Sequence, residues 1–178
     1  MSAVKPVFTG ADHICIVTRD LDTAVRRWAD HYGVGPWQVY AYDETTIEAT
    51  YCGVTGALPM LAALCSLSDT FRLEIIQPLT GSGPYHDSLL AHDDADHLHH
   101  VRLDAADLAT AQAALAVQGN DVVYDAAFAG ADATSPRLHA RYYDTMPELG
   151  FRLEVVEPPV SFAMPEPVRV YPPVSGAR

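Results

Sequence analysis

Apolar and polar side chains alternate in two nearly identical stretches, FRLEIIQP at 71–78 and FRLEVVEP at 151–158. Strand side chains point alternately to opposite faces. Phe71, Leu73 and Ile75 therefore share one face and Arg72, Glu74 and Ile76 the other; Phe151, Leu153 and Val155 oppose Arg152, Glu154 and Val156 in the same way. The Phe-Leu-Ile/Val face is expected to lie under a helix, which leaves each glutamate on the opposite surface among apolar neighbours. Further upstream, HICIVT (13–18) and HVRLDA (100–105) cluster apolar and β-branched residues and predict two more strands. Helical spacing follows each of them, through Ala24, Val25, Trp28 and Tyr32 in one case and Leu108, Ala111 and Leu115 in the other. Asp20 or Asp22, and Asp107, are the expected N-caps, and Gly33 and Gly119 the stops. GPWQVYAYDE and PMLAALCSL after the first helix, and DVVYDAAF and LHARYYDT after the second, predict the remaining strands, separated by Gly, Pro or Asp breaks.

Both halves thus read β-α-β-β-β, and they align as a repeat. His13 matches His100 at an offset of 87 residues, with Asp20-Leu21 on Asp107-Leu108 and Thr23-Ala24 on Thr110-Ala111; Glu74 matches Glu154 at an offset of 80. A duplicated module of about 60 residues accounts for this. The expected organisation is one module over 8–79, a linker with a short helix over 80–96, a second module over 97–158, and a tail over 159–178. Six of the thirteen prolines fall between Pro158 and the end, so the tail is read as extended and is assigned no chemistry.

With 178 residues, 49% of them hydrophobic, the chain can bury one sizeable core or two small fused ones. A net charge of −12 opposes nucleic acid and anionic membrane as partners. No run approaches the roughly 18 apolar residues of a membrane span, and MSAVKPVFTG has no apolar leader core, so a cytoplasmic protein is expected. Cys15, Cys52 and Cys65 have no CxxC spacing and are read as small core residues.

A carboxylate on an apolar face is costly unless something pairs with it, and His13 and His100 open apolar strands in the same predicament. One bland account has each histidine at a strand end and each glutamate bonded to the arginine two residues before it. Four correlated positions favour another: His13, Glu74, His100 and Glu154 converge on one divalent metal ion, for which Fe, Mn, Co, Ni and Zn all suit the imidazole and carboxylate donors.

At these residues the chain resembles the vicinal oxygen chelate superfamily, which includes glyoxalase I, methylmalonyl-CoA epimerase, extradiol dioxygenases and the fosfomycin and bleomycin resistance proteins. DHICIVTRDLDTAVRRW, LHHVRLDAADLATAQAAL and the two RLE strands carry the resemblance, which spans roughly residues 10–158. It implies an α+β fold of two paired βαβββ modules forming an open, cup-shaped mixed β-barrel. It also implies metal ligation by His13, Glu74, His100 and Glu154, with His97 a loop residue and His99 an opposite-face residue, and a homodimer.

A four-ligand set resembles the isomerase and epimerase branch, in which the metal chelates substrate oxygens and stabilises an enediolate while a carboxylate moves the proton. Glu154 is the expected proton carrier. The epimerase's second glutamate has no counterpart, because PMLAALCSL offers no acid; Tyr51, Tyr143, Glu48, His97 and Cys65 are the replacement candidates. Trp37, Tyr40, Tyr42, Tyr51 and Phe128 are expected to line a pocket for a ring-bearing substrate, with Trp37, Tyr51 and Tyr143 the substrate-binding residues. Glyoxalase I itself needs cationic anchors for glutathione, and the eleven basic residues form no cluster. The leading expectation is a metal-dependent isomerase, epimerase or lyase acting on an enolisable small-molecule carbonyl compound, aromatic or acyl-CoA. The alternatives are a non-haem Fe(II) extradiol-type dioxygenase and a metal-free small-molecule binding or resistance protein.

Overall fold

The computed structural model describes residues 6–159 and 161–172. The expectations for residues 1–5, for 160 and for the tail end at 173–178 lie outside the described residues. Eleven strands and four helices follow in the order β1 (Phe8–Val17), α1 (Leu21–Tyr32), β2 (Trp37–Tyr42), β3 (Ile47–Tyr51), β4 (Val54–Gly56), β5 (Met60–Ser66), β6 (Arg72–Pro78), α2 (Pro84–Ala91), β7 (His97–Ala105), α3 (Leu108–Ala116), β8 (Val122–Phe128), β9 (Leu138–Tyr143), α4 (Met146–Leu149), β10 (Arg152–Val156) and β11 (Arg169–Tyr171).

Local chemistry sets the helix ends. Asp20 and Asp107, both extended, each accept a hydrogen bond from the backbone N–H three residues on, at Thr23 and Thr110. Gly33, at φ 67°, ends α1 in the left-handed conformation that only glycine adopts without strain. The second helix stops earlier than its glycine suggests: α3 ends at Ala116, and Gly119 serves the turn beyond it.

All strands join one open mixed sheet in the order β11-β2-β5-β6-β1-β7-β10-β9-β8-β3-β4. At its centre β1 runs parallel to β6, β7 runs parallel to β10, and β1 and β7 meet antiparallel. The sheet curls into a cup. Tyr42 of β2 and Phe128 of β8 lie near opposite ends of the strand order, yet their rings meet edge to face at 5.2 Å. The inner face carries the largest cluster, with Tyr40, Met60, Ile76, Tyr85, Tyr124, Tyr142 and Val156 among its members. On the outer face α1 covers Leu73 and Ile75 with Leu21, Ala24 and Val25, and α3 covers Val155 with Leu108 and Ala111. The alternation read from FRLEIIQP and FRLEVVEP is thus the partition between helix and cavity.

That partition has a consequence for stability. Ile75 is fully buried on the helix side, so Ile75→Ala is expected to cost about 2–5 kcal/mol of unfolding free energy in a denaturant titration. Metal binding at the opposite face should be unchanged.

Four features depart from the sequence reading. The β3–β4 hairpin was not anticipated, because β4 is exposed throughout and carries no alternation, with only the Thr50 and Thr55 hydroxyls meeting across it at 3.0 Å. β3 pairs with β8, so a hairpin from the first half extends the sheet of the second. The tail is partly structured: β11 pairs with β2, and Phe162 and Met164 pack on the inner cluster. Cys15 and Cys65 are core residues as read, but Cys52 is exposed, at a left-handed turn position between β3 and β4.

Candidate metal centre

Four adjacent strands in the middle of the sheet, β6-β1-β7-β10, carry Glu74, His13, His100 and Glu154 in that order. Each half contributes one parallel pair. Strand register places Glu74 beside Cys15 and Glu154 beside Arg102, each two residues beyond its half's histidine. All four side chains are buried.

Their donor atoms converge. His13 Nε2 lies 3.3 Å from His100 Nε2. Glu74 Oε2 stands 3.2 Å from His13 Nε2 and 3.4 Å from His100 Nε2, and Glu154 Oε2 stands 3.2 Å from both. A metal about 2.1 Å from each donor sets neighbouring donors about 3.0 Å apart in an octahedron and about 3.4 Å apart in a tetrahedron. The five distances around the two imidazoles fall between these limits. His13, Glu74 and His100 form the set whose ligand atoms all lie within 4.8 Å of one another, and Glu154, which approaches both imidazoles, is not part of that set. Glu154 Oε2 is buried and has no hydrogen-bond partner: the two Nε2 atoms are close enough for ionic attraction but out of line for a hydrogen bond. A cation between the four groups would resolve that deficit, and the residues present fit a divalent metal of the imidazole–carboxylate kind.

The electrostatics agree. Burial pushes the Glu74 carboxyl upward, but the charge of His13 and hydrogen bonds from His100 and His13 outweigh it and hold the group well below the usual carboxylate range. Glu154 is lowered in the same way, burial being outweighed by the His100 and His13 imidazoles 3.2 Å from it. For His13, burial alone would lower the value; the charge of Glu74 and bonds to Asp12, Glu154 and Glu74 raise it well above an ordinary imidazole. Two ionised carboxylates thus demand a positive charge between them. The arginine two residues before Glu74 does not supply it, because Arg72 pairs with Asp12.

His13, Glu74 and Glu154 of the centre line a cavity of about 450 Å³ including its open mouth, with His100 buried behind them. Its walls are Tyr42, Met60, Leu64, Ile76, Tyr85, Phe128, Leu138 and Tyr142 from the sheet and α2, with Phe162 and Met164 from the tail. Besides the ligand candidates, the polar lining is Arg72 and Arg102. Both are engaged, Arg72 with Asp12, and Arg102 with Asp104 at 3.1 Å.

Several expected residues lie elsewhere. Trp37 is buried on the helix side of β2, its indole N–H donating to the Val34 carbonyl at 2.7 Å. Tyr143, one residue past the cavity-lining Tyr142, alternates onto the α3 side. Tyr51 packs at the edge of the inner cluster and does not line the cavity. Of the other replacement acids, Cys65 faces α1, Glu48 is exposed beside Arg137, and His97 opens β7 rather than a loop, bonded to the Ser88 hydroxyl at 2.7 Å. Tyr85, Tyr142, Phe162 and Met164 were missed. Tyr142 carries a strand-alternation signal, lying opposite Glu154 across β9 and β10, whereas Tyr85 sits on α2 and nothing in the Pro-rich tail marks its two residues as cavity walls.

Comparison with known proteins now adds to the geometry. The profile of the Glyoxalase/Bleomycin resistance protein/Dioxygenase superfamily matches residues 12–135. The chain belongs to that superfamily. Methylmalonyl-CoA epimerase from Mycobacterium tuberculosis superposes with a TM-score of 0.60 at 21% identity, covering 89% of this chain and 93% of its own. A methylmalonyl-CoA epimerase in complex with methylmalonyl-CoA and NH4+ gives 0.59 at 16% identity, over 88% and 99% of the two chains. A Streptomyces coelicolor epimerase variant in complex with 2-nitronate-propionyl-CoA gives 0.59, also at 16% identity and over 88% and 99%. At these identities the likeness is one of fold. No curated protein sequence matches the chain. The superfamily fold is thus present with all four ligand candidates drawn from one chain. Among the described residues no helix is long and apolar enough to cross a membrane.

Proposed function

We propose that this superfamily member is a divalent-metal-dependent isomerase, epimerase or lyase that moves a proton on an enolisable carbonyl compound. The observation carrying the reading is that the Glu74 and Glu154 carboxylates both approach the paired His13 and His100 Nε2 atoms, with His13, Glu74 and Glu154 lining a largely apolar cavity. These four side chains would hold the ion. Its chemistry there is Lewis-acid polarisation of a substrate carbonyl, which acidifies the neighbouring C–H.

The chain's own residues do the rest. Glu154, ionised and buried, would be a loosely held ligand that, once freed when substrate binds, takes the substrate proton and returns it. Tyr42, Tyr85, Phe128, Tyr142 and Phe162 exclude water and grip an apolar body by face and edge. The substrate this lining favours is compact and ring-bearing. An acyl-CoA pyrophosphate needs free cations, and both arginines at the cavity already neutralise aspartates.

A second reading has one observation in its favour. His13, His100 and Glu74 by themselves make the two-histidine, one-carboxylate set of non-haem iron oxygenases. The two readings separate in one experiment. The metal-loaded protein, incubated in D2O with a panel of aryl-substituted and aliphatic 2-oxo acids and with acyl-CoA thioesters, is expected to exchange the proton next to the carbonyl of an aryl member without consuming O2. Oxygen uptake that requires iron would establish the alternative instead.

A further inference from the structure

β1 and β7 pair side by side, and their register slips beside each of the two histidines. Ala11 faces Leu103 and His13 faces Arg102, which leaves Asp12 without a cross-strand partner; Cys15 faces His100 and Ile16 faces Leu98, which leaves His99 without one. Both are β-bulges, in which one extra residue breaks the alternation and re-aims a side chain. The two bulged residues occupy the same place in the repeat, each one position before a ligand candidate. His99, expected on the opposite face, is buried at its bulge against α2, its ring 4.8 Å from that of Tyr85.

Each bulged side chain meets the same atom of the histidine that follows. Asp12 Oδ2 lies 2.8 Å from His13 Nδ1, and His99 Nδ1 lies 2.9 Å from His100 Nδ1. Both rings thus have Nδ1 occupied from behind while their Nε2 atoms face each other across the centre at 3.3 Å. The geometry assigns Asp12 and His99 as matched positioning residues: each is bulged out of the β1–β7 pairing to accept the Nδ1 proton of the next histidine, leaving its Nε2 lone pair for the metal. This rests on the metal reading proposed above.

The chemistry behind the two rings differs. An ionised carboxylate only accepts, so Asp12 dictates a single neutral tautomer of His13. Arg72 Nε donates to the same Oδ2 at 3.2 Å, and Arg102 Nη1 stands 3.7 Å from it. That oxygen is pinned from three sides. His99 can accept from His100 only with its own proton on Nε2, a buried atom with no well-formed hydrogen bond and only the Pro84 backbone beside it as an acceptor. An unpaired buried donor is destabilising, and an apolar ring would fill the space without it. An acceptor behind His100 gives histidine a role here that an apolar ring could not fill.

Cobalt(II) titration tests the assignment, with affinity read by calorimetry and geometry by the visible d–d bands. Asp12→Ala and His99→Phe are expected to weaken Co(II) binding about 10–100-fold each and to alter the bands, at unchanged stoichiometry. Asp12→Asn should recover most of the affinity, because it keeps an oxygen acceptor at the pinned position. Variants that bind as tightly as wild type with the same spectrum would overturn the inference, as would Asp12→Asn binding as weakly as Asp12→Ala, which would make the carboxylate's charge the relevant property. If Asp12→Ala does not fold because Arg72 and Arg102 lose their counter-ion, His99→Phe decides alone: weakened binding supports the assignment, and wild-type binding overturns it. Failure of the wild type to bind Co(II) would instead sink the metal reading itself.

Discussion

Replacing His100 with alanine is expected to remove the metal: elemental analysis should return about one divalent ion per chain for the native protein and essentially none for the variant. His100 is the sharpest probe because it is completely buried and sits at the centre of the four-strand array, with the donor oxygens of Glu74 and Glu154 at 3.4 and 3.2 Å. Losing a direct donor should exceed the roughly 10–100-fold effect typical of outer-shell partners. Acidity has a predictable sign at the same site. In the metal-free protein His13 holds its proton well above the ordinary imidazole range, because the charge of Glu74 and bonds to Asp12, Glu154 and Glu74 outweigh burial. An incoming cation must displace that proton. Affinity should therefore fall about tenfold per pH unit below the His13 pKa, with a proton released on binding. Metal retained by the variant at full stoichiometry would exclude the four-residue centre. A native protein that takes up none of Fe, Mn, Co, Ni or Zn would make the cavity a ligand-binding site only.

Glu154→Gln is expected to keep the metal and lose turnover by about 10²–10⁴-fold, the usual contribution of a positioned acid–base group. Glutamine preserves volume and one oxygen, so coordination at His13, Glu74 and His100 survives. The amide cannot accept the substrate proton. Because Glu154 is buried and its Oε2 has no competing hydrogen bond, the loss should appear in kcat and in D2O exchange rather than in KM. Near-normal turnover with the ion still bound would remove Glu154 from the chemistry and favour the two-histidine, one-carboxylate reading, in which only His13, Glu74 and His100 are required.

The central strands were legible because burial on two unlike faces imprints a period of two. FRLEII and FRLEVV put an aliphatic row under a helix and an acid toward the cavity, and the same words recur in both halves. The aspartate caps were legible for a similar reason, since Asp-x-x-Thr satisfies a helix start within four residues. The substrate-wall expectations fared differently. Trp37 and Tyr143 are aromatic residues on strands, and composition alone does not say which face an aromatic occupies; each is one alternation step off the cavity. The β3–β4 hairpin and the tail were opaque because their partners, β8 and β2, are distant in the chain, and neither segment buries a continuous face of its own.

By itself, the amino-acid sequence determined that two homologous halves each carry one histidine and one glutamate on a common strand face, because alternation and repetition are local properties written in consecutive residues. Only the tertiary structure decided that the two imidazole Nε2 atoms lie 3.3 Å apart with each carboxylate 3.2–3.4 Å from both of them. It alone showed that Asp12 and His99 leave the pairing to stand behind the two histidines, and that the tail brings Phe162 and Met164 to the cavity wall. Those outcomes depend on how β1 and β7 slip past each other and how the sheet curls. Both are set by packing between residues far apart in the chain, which no local pattern encodes.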